Sequence, residues 1–220
     1  STPKPSSAAS DVYKRQVGVP SAFTGPSEVV VVADGTSPAE FTATDLVAQA
    51  EHGPDGMSWL VTWNEAVADA VDAALDRVLE DAPRGAEFAG TLASSGHCVL
   101  VDDKQQALAV VDAIAPEHLQ LMVDAPENLA ERVRNAGAVF LGPWTPTSIG
   151  DYVAGPSHVL PTAGTARFAG ALTVADFTKD VNLVTADPDA LRRLGPHVEA
   201  LAVAEGLEAH AESILSLIHI

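Results

Sequence analysis

Glu28 to Ala33 reads Glu-Val-Val-Val-Val-Ala, and its four consecutive valines constrain the fold more than any other stretch of the chain. Successive side chains of a strand point to opposite faces, so an unbroken β-branched run belongs to a strand buried on both sides. The rest of the middle agrees with that reading. Pro38 to Glu51 has a helical pattern, Ser58 to Thr62 reads as a strand, and Asn64 to Asp81 as a helix with the apolar stripe Val67, Val71, Leu75, Val78 and Leu79. His97 to Val101, Leu119 to Val123 and Ala138 to Leu141 are further short strands, with helices at roughly Lys104 to Ala115 and Glu127 to Ala136 between them. Parallel strands need helical crossovers, so strict alternation predicts an α/β fold: an open, mostly parallel sheet with helices on both faces, an incomplete Rossmann-like arrangement. Ligands of such sheets sit outside the carboxyl ends of the strands. No Gly-x-Gly-x-x-Gly follows any strand, so the chain shows no dinucleotide fingerprint.

Charge narrows the partners. Twelve basic against 30 acidic residues give a net charge of −18, which repels phosphate backbones and argues against nucleic acid. No apolar run approaches the ~20 residues that span a bilayer, so a membrane is not expected either. Cys98 is the single cysteine and lies in an apolar run, which excludes a disulfide within the chain and a thiolate zinc cluster. A metal here would be held by imidazole, carboxylate and amide groups.

The two ends differ from the middle. Residues 1–16 are rich in Pro, Ser and Ala without an apolar period, and 215–220 are abruptly apolar. Both resemble translated sequencing linker, with no role for His219. Four regions are therefore expected: a non-native lead at 1–16, an α/β domain at 17–172, a small helical C-terminal segment at 173–214 and a non-native tail at 215–220. Within the C-terminal segment, a short helix from Pro188 to Leu194 is expected to give way at Gly195-Pro196 to a second one.

Four places carry chemistry. Gln49 and His52 lie three residues apart at the end of the first helix, just before Gly53-Pro54, and present an amide oxygen and an imidazole. The plain alternative is a last-turn histidine that only complements the helix dipole. Glu117 and His118 stand side by side at a helix-to-strand junction. Neighbours in sequence do not share a helix face, so the two would address different points of a substrate; equally, they could be an ordinary solvated junction. Ser148 to Phe168 has no period and is too long for a simple connection. Its Asp151 is a chemical candidate or a turn former. Glu205 and His210 are five residues apart, about 140° round a regular helix, so either Gly206 distorts it or they contact different groups.

Gly25-Pro26-Ser27-Glu28, Gln49-Ala50-Glu51-His52-Gly53-Pro54-Asp55, Ala115-Pro116-Glu117-His118-Leu119, Gly150-Asp151-Tyr152 with Gly155-Pro156-Ser157-His158-Val159-Leu160-Pro161-Thr162, and Glu205 with His210 stand in one order and spacing. In these motifs the chain resembles the C-terminal half of the histidinol dehydrogenases, from about Val17 to Ser213. The resemblance implies a cytoplasmic, zinc-dependent enzyme of histidine biosynthesis. Such an enzyme oxidises L-histidinol through histidinaldehyde to L-histidine with two NAD in succession, and acts as a homodimer with shared active sites. It implies Gln49, His52, Asp151 and His210 as zinc ligands and Glu117 and His118 as the catalytic acid and base. Ser27 and Glu205, together with these six, are implied as substrate contacts. Much of what binds NAD in the family lies in the unmatched half, so a second reading is a zinc-binding, dimer-forming fragment without turnover.

Overall fold

The computed structural model describes residues 25–218. Residues 1–24, which include the expected lead, and 219–220, which include His219, lie outside that range. Two compact units divide the chain, the first ending at Thr178 and the second starting at Lys179.

In the first unit, the valine run forms β1 (Glu28–Ala33), and its every residue is buried. It is followed by α1 (Ala39–Ala50), β2 (Met57–Thr62), α2 (Glu65–Asp81), α3 (Gly85–Ser95) and β3 (Gly96–Leu100). Then come α4 (Lys104–Ile114), β4 (His118–Met122), α5 (Pro126–Ala130), β5 (Ala138–Leu141) and α6 (Thr147–Tyr152). The five strands make one sheet in the order β3-β2-β1-β4-β5, and all four pairings are parallel. The α/β expectation therefore holds, and the valines explain it. Val29 and Val31 pack on one face with Ala43 and Leu46 of α1 and Val67 and Val71 of α2. Val30 and Val32 pack on the other with Leu108 and Val111 of α4 and with Leu119 and Leu121. At ~1.5–3 kcal/mol for each large apolar side chain buried, this two-sided core is the main stabilising term of the unit.

Several boundaries depend on local hydrogen bonds. Asn64 caps α2 by accepting from Ala66 N–H, and Asp103 caps α4 by accepting from the Gln105 and Gln106 N–H groups. One expectation is corrected, and two helices appear where none was expected. The helix expected from Glu127 to Ala136 stops at Ala130, because Arg134 and Asn135 give their N–H groups to the Asp112 carboxylate instead of a helical ladder. The stretch Gly85–Ser95 is helical although its alanines, glycine and serines carry little apolar signal; Phe88 is what anchors it, against Val47 and Ala50. The aperiodic stretch after Gly142 begins with α6, too short to show a period.

In the second unit, α7 (Pro188–Ala204) and α8 (Glu208–Ile218) pack on each other. Gly195-Pro196 does not break α7, contrary to expectation; Pro196 sits inside a continuous helix, where it removes one ladder N–H without ending it. The break comes at Gly206, whose φ of 72° closes a Schellman motif with Gly206 N–H on Val203 O and Leu207 N–H on Ala202 O.

Candidate active site

In the first unit, Ser27, Gln49, Glu117 and His118 gather at the amino edge of the sheet. Val29 of β1 is in register with His118, so Ser27 and Glu28 at the head of β1 adjoin Glu117 and His118 at the head of β4. α1 runs back against the strand direction and delivers Gln49 to the same edge, where the Ser27 hydroxyl lies 3.2 Å from Gln49 Oε1 and 2.8 Å from Glu117 Oε2. The expectation of a site at the carboxyl ends is thus corrected. That edge is closed between β1 and β4 by the chain itself. Asp34 accepts from Asp124 N–H at 2.9 Å and gives its own N–H to Met122 O, which also accepts from the Ser37 hydroxyl. A carboxylate at that point is the opposite of what a pyrophosphate needs.

A left-handed turn sets Glu117 and His118. Ala115, fully buried with φ of 53°, caps α4 and reverses the chain so that Pro116 leads directly into β4. Such a conformation costs a residue with a Cβ about 1–2 kcal/mol, which the surrounding packing holds in place. Glu117 and His118 are both buried, at 9% and 5% exposure, which removes the solvated-junction reading. They also touch one another: Glu117 Oε2 lies 3.4 Å from His118 Nδ1, while His118 Nε2 is left for a different point. The helix-face rule does not apply, since neither residue is helical. Glu117 Oε2 also accepts from Glu28 N–H at 3.1 Å, and His118 Nδ1 lies 3.2 Å from Glu28 O. A carbonyl oxygen can only accept, so Nδ1 carries the proton. Nε2 is buried without a hydrogen-bond partner and faces Asp151 Oδ1 at 3.8 Å.

Asp151 comes from α6, and Gly150 lets it approach. A methyl on Gly150 would lie 2.5 Å from the Phe140 ring, which itself sits 6.0 Å from the His118 ring, centroid to centroid. Electrostatics follow from this crowding. Burial pulls the His118 pKa down, but the Asp151 and Glu117 carboxylates outweigh it and push it up to about 10. Asp151 is held below its ordinary value, first by its close approach to the His118 imidazole against the pull of burial, and further by the charges of His118, His52 and His158.

His52 lies in the turn after α1 and is exposed, its N–H bonded to Gln49 O, while Gln49 is buried. Two neighbours on one expected helix face thus have opposite surroundings, because the helix ends at Ala50. In the second unit, Glu205 caps α7 and His210 opens α8; both are exposed. Gly206 ends the helix between them with its left-handed turn. Glu28 had no expected role, yet its side chain is buried and accepts from Ala163 N–H at 2.7 Å. Its signal in the sequence was an acidic residue at the head of a strand buried on both faces. His158 was quoted only within a motif, and its charge acts on Asp151.

The family model for histidinol dehydrogenase matches residues 6–216. Histidinol dehydrogenases of Nitrobacter winogradskyi and Thermus thermophilus are 49% and 47% identical to the chain over 190 residues, which is 86% of this chain and 44% and 46% of theirs. The crystal structure of histidinol dehydrogenase from Elizabethkingia anophelis matches with a TM-score of 0.82 at 34% identity, over 89% of this chain and 45% of that one. The chain thus spans about half the length of the relatives it matches. A family match across nearly the whole chain, carried by a solved relative of the same fold, has one meaning: the chain belongs to the histidinol dehydrogenase family.

Proposed function

We propose that the chain carries the zinc- and histidinol-binding part of a histidinol dehydrogenase, which oxidises L-histidinol to L-histidine with NAD as the electron acceptor. The observation that carries the reading is the buried network of Ser27, Gln49, Glu117 and His118, with a partnerless imidazole nitrogen facing Asp151.

The donor set fits zinc. Among the described residues no three His, Cys, Asp or Glu side chains gather at a metal-sized point, but the first unit would supply only His52 and Asp151 of those types, with Gln49 as the third donor. Ser27 has one hydroxyl proton, and its shorter contact is to Glu117 at 2.8 Å. The Gln49 amide then bonds best turned about, with Nε2 donating to Ser27 Oγ. Its oxygen then takes the buried position that has no partner, which is the donor a cation needs. Amide and carboxylate oxygens with imidazole nitrogen, and no thiolate, suit zinc. His210, with Glu205, would complete the site from the second unit, as a partner subunit's contribution in a homodimer with shared sites.

Bound zinc would supply a fixed positive charge that orients the substrate's imidazole and amine. The chain's own groups do the rest. His118 Nε2 takes the alcohol proton as hydride leaves for the nicotinamide, and Nδ1 stays tied to Glu28 O. Held as a zinc ligand, Asp151 would no longer support the imidazolium, and His118 would return toward the neutral form that a base requires. Glu117, whose Oε2 is occupied by Ser27 and Glu28, uses Oε1 to activate the water that hydrates the aldehyde before the second hydride transfer.

The alternative is a zinc-binding, dimer-forming module without turnover; the Asp34 carboxylate at the carboxyl ends of β1 and β4, where a pyrophosphate would meet negative charge, favours it. NADH formation by the purified chain with zinc and histidinol tests both. Turnover supports the enzyme, whereas zinc-dependent histidinol binding without NADH supports the module. Absence of both sinks the proposal.

A further inference from the structure

We infer that Glu28 is the positioning residue of the candidate site: its carboxylate, clasped by the 160–167 segment, fixes the one residue whose backbone N–H and C=O, on two successive peptides, orient Glu117 and His118. The inference rests on the reading of Glu117 and His118 as the working pair.

Three contacts meet at this residue. Its N–H donates to Glu117 Oε2, its carbonyl receives the His118 Nδ1 proton, and its side-chain Oε1 accepts from Ala163 N–H at 2.7 Å. Gly164 N–H acts on the same carboxylate and favours its charged form. Ala163 and Gly164 both have positive φ, 54° and 72°, so two successive N–H groups turn toward one point and form a small anion-binding concavity. A left-handed alanine is costly, and a buried carboxylate without donors is costlier. Each removes the other's penalty. The segment in turn lies against the pair: Pro161 packs where a methyl on Gly137 would meet both its ring and Glu117 O. Burial raises the Glu28 pKa, and the Ala163 N–H opposes that rise.

The alternative is that Glu28 fastens a loop and nothing more. The two differ in what happens to His118. In the 220-residue chain labelled with 15N, the His118 Nδ1–H and the Ala163 amide are followed by hydrogen exchange. Glu28→Ala is expected to speed exchange at both by at least about tenfold, because the peptide that holds Nδ1 is released with the loop. Glu28→Gln keeps an acceptor oxygen in the same place and is expected to restore protection at both. Arg167→Ala frees the same segment from Gly164 O and Ala113 O without touching Glu28, and is expected to leave the His118 Nδ1–H protected. Should Glu28→Ala not fold, Glu28→Asp, one methylene short of Ala163, takes its place with the same expectation.

Exposure of Ala163 alone in the Glu28 variant would overturn the inference, as would failure of glutamine to restore protection or an equal effect of Arg167→Ala. None of these readouts needs zinc, NAD or histidinol. A failed assay of the proposed function therefore leaves the outcome readable.

Discussion

His118 Nε2 and Asp151 Oδ1 face each other at 3.8 Å, one from the head of β4 and the other from α6, with Glu117 on the opposite nitrogen of the ring. The imidazole is thus held between two carboxylates in a buried place, and its charge state governs both the stability and the chemistry of the site.

That pairing makes stability pH-dependent with a definite sign. The His118 pKa rises from 6.5 to about 10 on folding, so its contribution is fully present below about pH 6.5 and is lost as pH climbs through about 10. Asp151, depressed on folding, contributes above the usual aspartate range and loses that contribution as pH falls through its lowered value. Urea unfolding of wild type and His118→Gln at about pH 7 and about pH 10.5 is expected to differ by about 2 kcal/mol more at the lower pH, after discount for the solvent at Asp151. Parallel curves for the two proteins would show that the pair does not couple.

Asp45 behaves in the reverse way. It is 5% exposed, its Oδ2 has no partner, and burial raises its pKa to about 6. The folded protein therefore gains stability as pH falls through about 6 toward 3.8 and bears a penalty above it. Asp45→Asn is expected to stabilise the chain by about 1–3 kcal/mol at about pH 8 and to flatten the slope between pH 4 and 6. Chemical denaturation across that range checks it, and a destabilised variant would mean that the ionised carboxylate has a partner.

Gly150→Ala tests how α6 delivers Asp151. The added methyl meets Phe140, so α6 must move outward and carry Asp151 from His118. Zinc affinity measured by calorimetry is expected to fall at least about tenfold, and Phe140→Leu in the same chain to recover part of it, because the two changes share one contact. Independent, additive losses would place the cause elsewhere.

The proposed sharing of ligands predicts complementation. His52→Ala and His210→Ala chains each lack a zinc ligand, but a mixed dimer with crossed ligands has one site intact. Random mixing in equal parts is expected to restore about a quarter of the zinc sites, since half of the dimers are mixed and half of their sites are complete. Titration with a zinc indicator checks it, and no recovery is the result expected from ligands held within one subunit.

Strands were legible in the sequence because burial on both faces demands β-branched runs, and β1 and β5 match their expected bounds. Helix α3 was not, because small residues pack closely without an apolar stripe, and only Phe88 reveals the buried side. The break in the C-terminal helices was misplaced from Gly195-Pro196 to Gly206 because proline lowers helix stability locally, whereas a left-handed glycine ends the ladder through its own hydrogen bonds.

Local sequence by itself determined the α/β class, the placement of Gln49, Glu117 and His118 at element junctions, and the N and O character of any metal site. Those properties follow from periodicity and residue chemistry, which are carried by near neighbours. Tertiary structure alone decided that the site lies at the amino edge, that Nε2 is the partnerless nitrogen of His118, and that Glu28 joins the pair to the 160–167 segment. The contacts responsible span about 90 residues from Ser27 or Glu28 to Glu117 and His118, and 135 from Glu28 to Ala163. Sheet order and loop closure fix such distances, and neither has a period that the chain could display.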